Sequence, residues 1–240
     1  VRTILNSGQT LLSLLNDILD LSKIEAGKVQ SEVMAFEPEQ LIQEAKALFA
    51  GSARNKDLQL DCNWRGPAKQ RYRSDAHHLR QMLSNLVGNA IKFTAQGKIC
   101  IDAVEVERDA ETALLEFSVS DTGIGIDKDK IHLLFLPFSQ ADSSTTREFG
   151  GSGLGLSIVS SLAKQFGGDV GVESEPGLGS RFWFRIRATL ISMGEDSRQT
   201  ERPFPERGVA ALNKLNSTGY ILVVEDNQIN CKVMAALLTK

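Results

Sequence analysis

The residues best suited to chemistry fall in three short runs. Asn85, Asn89 and Lys92 recur at i, i+4 and i+7, a spacing that lines one stripe of a helix. A side-chain amide oxygen suits a hard cation such as Mg2+ and a lysine one turn on suits phosphate, so this stripe could hold a metal-bound triphosphate. A solvated polar face would use the same residue types. A second run, Asp-Thr-Gly-Ile-Gly-Ile at 121–126, follows a strand-like segment. The Asp121 carboxylate could accept a hydrogen bond from a purine amine, while Gly123 and Gly125 let the backbone approach a flat base. Strand-end turns also use Asp and Gly for backbone reasons alone. The third run, Gly-Gly-Ser-Gly-Leu-Gly at 150–155, leads into a helical pattern. Bare amides at a helix N-terminus make an anion site, and a flexible hinge is the other reading.

Neither glycine run is a dinucleotide fingerprint, because the third glycine would fall on Lys128 or Leu156, and no Gly-Lys-Ser/Thr follows either one. Between them lies a stretch that is apolar over 131–138 and polar and small over 139–148. That pattern reads as a lid, with Phe135 and Phe138 as aromatic anchors and Arg147 placed to meet a terminal phosphate.

Positioning these runs requires an α/β domain with one large sheet. Helical periods cover 38–50, 75–92 and 153–166. Strand alternation covers 99–106 and 114–120, read as an antiparallel hairpin, and a second strand pair flanks the Pro-Gly-Leu-Gly turn at 176–179. In that pair 170–174 is followed by Phe182, Phe184 and Ile186 against Arg181, Trp183 and Arg185. Upstream, Ile4, Leu11 and Ile18, with Leu14 and Leu21 between them and Leu5, Leu12 and Leu19 beside them, form a wide apolar stripe that Gly27 ends. Such a face needs another helix, so a truncated helical bundle is expected at 1–30. Residues 191–217 are polar, hold Pro203 and Pro205 and read as a linker. After it, 220–224 is a short buried-type strand, and Asn227 opens a helix with Ile229, Val233 and Leu237.

Composition sets the bounds. The 240 residues can bury a substantial core. A net charge of -3 offers no footprint for nucleic acid. Cys62, Cys100 and Cys231 lack metal or disulfide spacing and read as reduced thiols. No apolar run approaches the roughly 18 residues of a membrane span, and no signal peptide opens the chain.

In order, Asn-Leu-Val-Gly-Asn-Ala-Ile-Lys-Phe-Thr at 85–94, Asp-Thr-Gly-Ile-Gly at 121–125, Leu-Phe-Leu-Pro-Phe-Ser-Gln at 134–140 and Gly-Gly-Ser-Gly-Leu-Gly-Leu at 150–156 resemble the N, first glycine, F and second glycine boxes of sensor histidine kinases. The run at 16–27 resembles the end of the second helix of that family's dimerisation hairpin. Ile-Leu-Val-Val-Glu-Asp-Asn at 221–227 resembles the first strand of a receiver domain.

The resemblance implies a hybrid kinase with four parts: a dimerisation helix (1–30), a catalytic ATP-binding domain (36–190), a linker (191–217) and the start of a receiver (218–240). It implies a Bergerat-type two-layer fold, a mixed sheet with helices on one face. Asn89 would ligate Mg2+, Asn85 and Lys92 would contact the phosphates of ATP, and Asp121 would bind adenine. Gly123, Gly125, Gly151, Gly153, Leu154 and Gly155, with Phe135 and Phe138, would shape the pocket, while Asn85, Lys92 and Arg147 would serve transfer. Glu225 and Asp226 would be an incomplete receiver Mg2+ pair. Implied partners are a histidine-bearing helix, a receiver or response regulator, and a second copy in a homodimer; the implied setting is the cytoplasmic part of a protein anchored in a bacterial inner membrane.

Two departures stand out. Leu136 sits where the family's F box often has a polar residue, and the phosphoacceptor histidine is missing. His77, His78 and His132 lie outside any acceptor context, so the chain is expected not to phosphorylate itself. Related ATPases of this fold carry a glutamate general base where this chain has Asn85, which disfavours hydrolysis. A degenerate kinase that docks on another kinase is the alternative reading.

Overall fold

A computed structural model describes residues 2–25, 32–139 and 153–191, all within the first of two compact units, Val1–Ser192. The receiver-like segment, with Glu225 and Asp226, lies outside the described residues, as do Arg147 and Gly151.

The elements in chain order are α1 (Arg2–Glu25), β1 (Met34–Phe36), α2 (Pro38–Arg54), β2 (Leu58–Arg65), β3 (Tyr72–Ser74) and α3 (Ala76–Phe93). They continue with β4 (Gly97–Arg108), β5 (Thr112–Asp121), a 3-10 turn (Lys128–Leu133), α4 (Gly155–Gln165), β6 (Val170–Glu175) and β7 (Gly179–Leu190). The seven strands form one sheet in the order β1-β3-β7-β5-β4-β2, with β6 beside β7. Among the described residues only the β2–β4 pair is parallel, so the sheet is mixed.

Period-two alternation decides which face is covered. Ala103 of β4, Phe117 of β5 and Phe184 of β7 share one row of the register, all fully buried, with the two phenyl rings stacked at 5.2 Å. Helices α2, α3 and α4 cover this face with Leu41, Ile42, Leu79, Leu83, Val87, Ile158 and Leu162. The opposite face is polar: Glu116, 8 % exposed, pairs with Arg181 and with Arg185 at 2.8 Å. Arg185 in turn stacks on Trp183.

α3 is the element that matters most. Asp75 caps its start, accepting from the His78 N–H at 3.0 Å and holding the His78 ring nitrogen at 2.7 Å, so the cap satisfies one of the orphan N–H donors of the first turn. That gives His78 a structural role, and His77 and His132 are exposed. The apolar stripe of α3 is buried from Leu79 to Ile91. α1 behaves differently: its end is anchored by Leu21, yet Leu11, Leu12, Leu15, Ile18 and Leu19 are all exposed.

The strands at 99–106 and 114–120 and the second pair are observed with longer bounds. Three strands are additions to the sequence reading: β1, β2 and β3. No described helix is long and apolar enough to cross a membrane.

Candidate functional site

Two chain segments meet the C-terminal half of α3, and a third braces one of them. At the start of that half Asn85, half-buried, donates from its amide to the carbonyl of Gly155, 3.3 Å away, so the polar stripe meets the N-terminus of α4 directly. Leu154 forms the cap of α4, its carbonyl accepting from the Ser157 hydroxyl at 2.8 Å and the Ile158 N–H at 2.9 Å. Its side chain is fully buried and anchors the glycine run in the core, so what it can offer a ligand is its backbone. Gly153 sits at φ 70 against the Ser139 carbonyl, a left-handed conformation that favours glycine.

At the other end the Phe93 carbonyl accepts from the Ile124 N–H at 3.4 Å and lies so close to Gly123 that a Cβ there would come within 2.5 Å of it. Gly125, at φ 69, packs its backbone against Glu175, where a Cβ would lie 2.0 Å from the carbonyl. The Gly177 N–H donates to the Ile124 carbonyl at 2.8 Å and the Ser174 hydroxyl accepts from Ile126 at 2.9 Å. The β6–β7 turn thus braces the first glycine turn from outside.

Asp121 ends β5 on the floor of this corner, accepting from the Gly123 N–H at 2.8 Å. Burial pushes its carboxyl above the ordinary aspartate value, against the pull of the Gly123 and Ser180 N–H groups. A half-buried carboxylate with unused acceptor capacity suits a ligand amine. Lys92 is half-buried beside the Phe93 ring, 4.7 Å from its centre, and burial holds its ammonium below the usual lysine value. A partly desolvated cation there gains from an anionic ligand.

The structure therefore brings Asn85, Asn89, Lys92, Asp121, Gly123, Gly125, Gly153 and Gly155 to one region. Phe135 is half-buried and packs edge-on against Phe182 at 6.5 Å, as an anchor should. Phe138 does not: it is 65 % exposed at φ 58, so only one of the two expected anchors is seated. Sequence reasoning missed Ser174 and the β6–β7 turn as supports, and nothing local in their sequence marks a contact made across the sheet end.

Residues 74–190 match the family described as histidine kinase-, DNA gyrase B-, and HSP90-like ATPase. The chain belongs to the histidine kinase-like ATPases. It is 44 % identical over 198 residues to the sensor protein GacS of Pseudomonas syringae pv. syringae, covering 82 % of this chain and 22 % of that protein. The crystal structure of full-length ShkA in complex with AMPPNP superposes with a TM-score of 0.68 at 34 % identity, covering 78 % of this chain and 38 % of that one. A structure of the histidine kinase ThkA with the response regulator protein TrrA gives 0.57 at 26 % identity, over 78 % of this chain and 50 % of that one. The chain spans about a quarter of the length of the curated relatives it matches. In this family's terms, residues 74–190 are a histidine-kinase-type ATPase domain, and the described site lies within them.

Proposed function

We propose that this domain binds ATP with Mg2+ and, within a longer hybrid sensor kinase, supplies the γ-phosphoryl group to a histidine on a dimerisation helix. The observation that carries the reading is α3 itself, joined at Asn85 to the start of α4 and at Phe93 to the Asp121–Gly125 turn. That places an amide-and-ammonium stripe between a helix N-terminus and a half-buried carboxylate, the donor set a nucleotide triphosphate requires.

In this reading Asp121 accepts from the adenine amine and Asn89 offers an amide oxygen to Mg2+. Asn85 and Lys92 orient the phosphates, and Arg147 and Gly151 complete the site from the segment beyond Ser139. Bound Mg2+ would offset charge on the phosphates. The enzyme's own contribution is positioning and electrostatics. Position 85 holds an amide, which cannot take a proton from water at neutral pH, and this favours transfer to a protein side chain over hydrolysis.

The remaining organisation follows the same reading: 1–30 is the second helix of a dimerisation hairpin, 36–190 the catalytic domain, 191–217 a linker and 218–240 the start of a receiver. Glu225 and Asp226 belong to that receiver's Mg2+ site. The exposed Leu11, Leu12, Leu15, Ile18 and Leu19 support pairing of α1 with other helices in a homodimer. A receiver or response regulator takes the phosphoryl group onward, on the cytoplasmic side of a membrane-anchored protein.

Calorimetric titration with Mg2+ and a non-hydrolysable ATP analogue tests the core of this. Wild type is expected to bind, and Asn89→Ala to lose about tenfold in affinity with Mg2+ present and much less without it. Absence of binding by wild type would favour a non-catalytic docking role.

A further inference from the structure

The last four carbonyls of a helix have no partner within it, and in α3 these are the carbonyls of residues 90–93, the turn that carries Lys92 and directly follows Asn89. Each of them has a partner from outside the helix interior. The Ala90 carbonyl accepts from Thr94 twice, from its N–H at 3.1 Å and its hydroxyl at 2.7 Å. The Phe93 carbonyl takes the Ile124 N–H. The two between them, on Ile91 and Lys92, both accept from the ammonium of Lys56, at 2.7 and 3.2 Å.

Lys56 comes from none of the nucleotide motifs. It stands in the turn between α2 and β2, where Asn55, Lys56 and Asp57 donate back to Gly51, Ala53 and Arg54. Asp57 sits at φ 52, the left-handed conformation that ends a helix and that aspartate tolerates better than most residues. This closed turn delivers the ammonium to the C-terminal end of α3, where a cation meets the negative end of the helix dipole.

We propose that Lys56 is a positioning residue for the nucleotide site, pinning the last turn of α3 so that Asn89 and Lys92 stay in register with the Gly123 turn. The inference rests on the nucleotide reading above. The turn is wedged on one side by the backbone at Gly123, with no room for even a Cβ, and on the other by Lys56. Without the ammonium, two carbonyls lose charge-assisted bonds and the helix end frays. The earlier turns, held by Leu79, Leu83 and Val87 in the core, stay in place. Loss of Lys56 therefore loosens the phosphate-binding end of α3 more than the fold.

The test uses the 240-residue chain with Lys56→Met and Lys56→Arg, read two ways. Amide hydrogen exchange without nucleotide follows Thr94 and Ile124, whose N–H groups bond the α3 terminus; titration compares Mg2+ plus AMPPNP with adenosine alone. Lys56→Met is expected to speed exchange at those two amides and leave β5 unchanged. It should weaken Mg2+–AMPPNP binding about tenfold while adenosine changes by about twofold or less, and Lys56→Arg should recover most of the loss. Unchanged exchange at Thr94 and Ile124 overturns the proposal, as does an equal loss for both ligands with faster exchange throughout the sheet. A wild-type chain that binds neither ligand overturns the nucleotide reading and this proposal with it, an outcome distinct from both.

Discussion

The two glycine segments that flank α3 look alike in sequence and are built differently. At Gly123 and Gly125 an added Cβ would meet backbone, 2.5 Å from the Phe93 carbonyl and 2.0 Å from that of Glu175. At Gly155 it would meet the end of a side chain, 3.4 Å from the Asn85 amide carbon. The first turn is a wall fixed by the sheet end and α3; at Gly155 the nearest neighbour can turn, whereas Gly153, at φ 70 and 3.0 Å from the Ser139 carbonyl for an added Cβ, is held by backbone like the first turn. Gly123 and Gly125 are needed for the turn to form, Gly155 for the site to have room.

The sharpest way to break this contrast is Gly125→Ala. The alanine would sit in a left-handed conformation and against a carbonyl that β6 holds in place, which costs about 2–4 kcal/mol from strain and overpacking together. Expected results are a lower Tm and no measurable nucleotide affinity. A variant with wild-type stability and binding would show that the first turn is not the rigid wall described.

Asp121→Asn comes next and separates binding from stability within the first turn. On the proposed role of Asp121 as acceptor for the adenine amine, the change should weaken nucleotide affinity by about 10- to 100-fold. The fold should not suffer. Burial raises the Asp121 carboxyl above its unfolded value of 3.8, so its charged form is disfavoured in the native state. Its protonation supports folding at low pH, and that support is lost as pH rises through the native value. At neutral pH the amide removes this penalty, and thermal unfolding should show an equal or higher Tm. In wild type, nucleotide affinity should fall on acidification with a midpoint above 3.8, and in the variant that limb should vanish. A lowered Tm for Asp121→Asn would mean that the hydrogen bonds from Gly123 and Ser180 outweigh burial.

The same contrast explains what could be read from the residues. Long periodic segments such as α3, and strands paired through short turns such as β4 with β5, are written locally and were legible. β1 and β3 have three residues each, too few for a period to emerge. β2 does alternate, Leu58, Leu60, Cys62 and Trp64 against Gln59, Asp61, Asn63 and Arg65, but its partner β4 lies beyond all of α3, and its polar half faces the uncovered side of the sheet. The site residues announced themselves by type and spacing. The motif position of Leu154 does not say that its side chain packs into the core, and Lys56 was invisible because a helix cap donated from 35 residues away leaves no local trace.

Gly155→Ala gives the smallest and most discriminating effect. Gly155 is the first residue of α4 and has no left-handed φ, so alanine stabilises by about 0.4–1 kcal/mol through the lost freedom of the unfolded chain, and stability should hold or rise slightly. The new methyl reaches the Asn85 amide at a distance at which that side chain must give by a few tenths of an ångström, disturbing its 3.3 Å bond to the Gly155 carbonyl. Asn85 is read here as a phosphate contact, so affinity for Mg2+–AMPPNP should fall about three- to tenfold while adenosine binding stays within about twofold. Truncating Asn85 to alanine in the same background removes the side chain the methyl pushes against, and the two changes should then be less than additive. Full additivity would mean that Gly155 acts on the nucleotide through the α4 backbone rather than through Asn85, and the second glycine segment would then be a wall like the first.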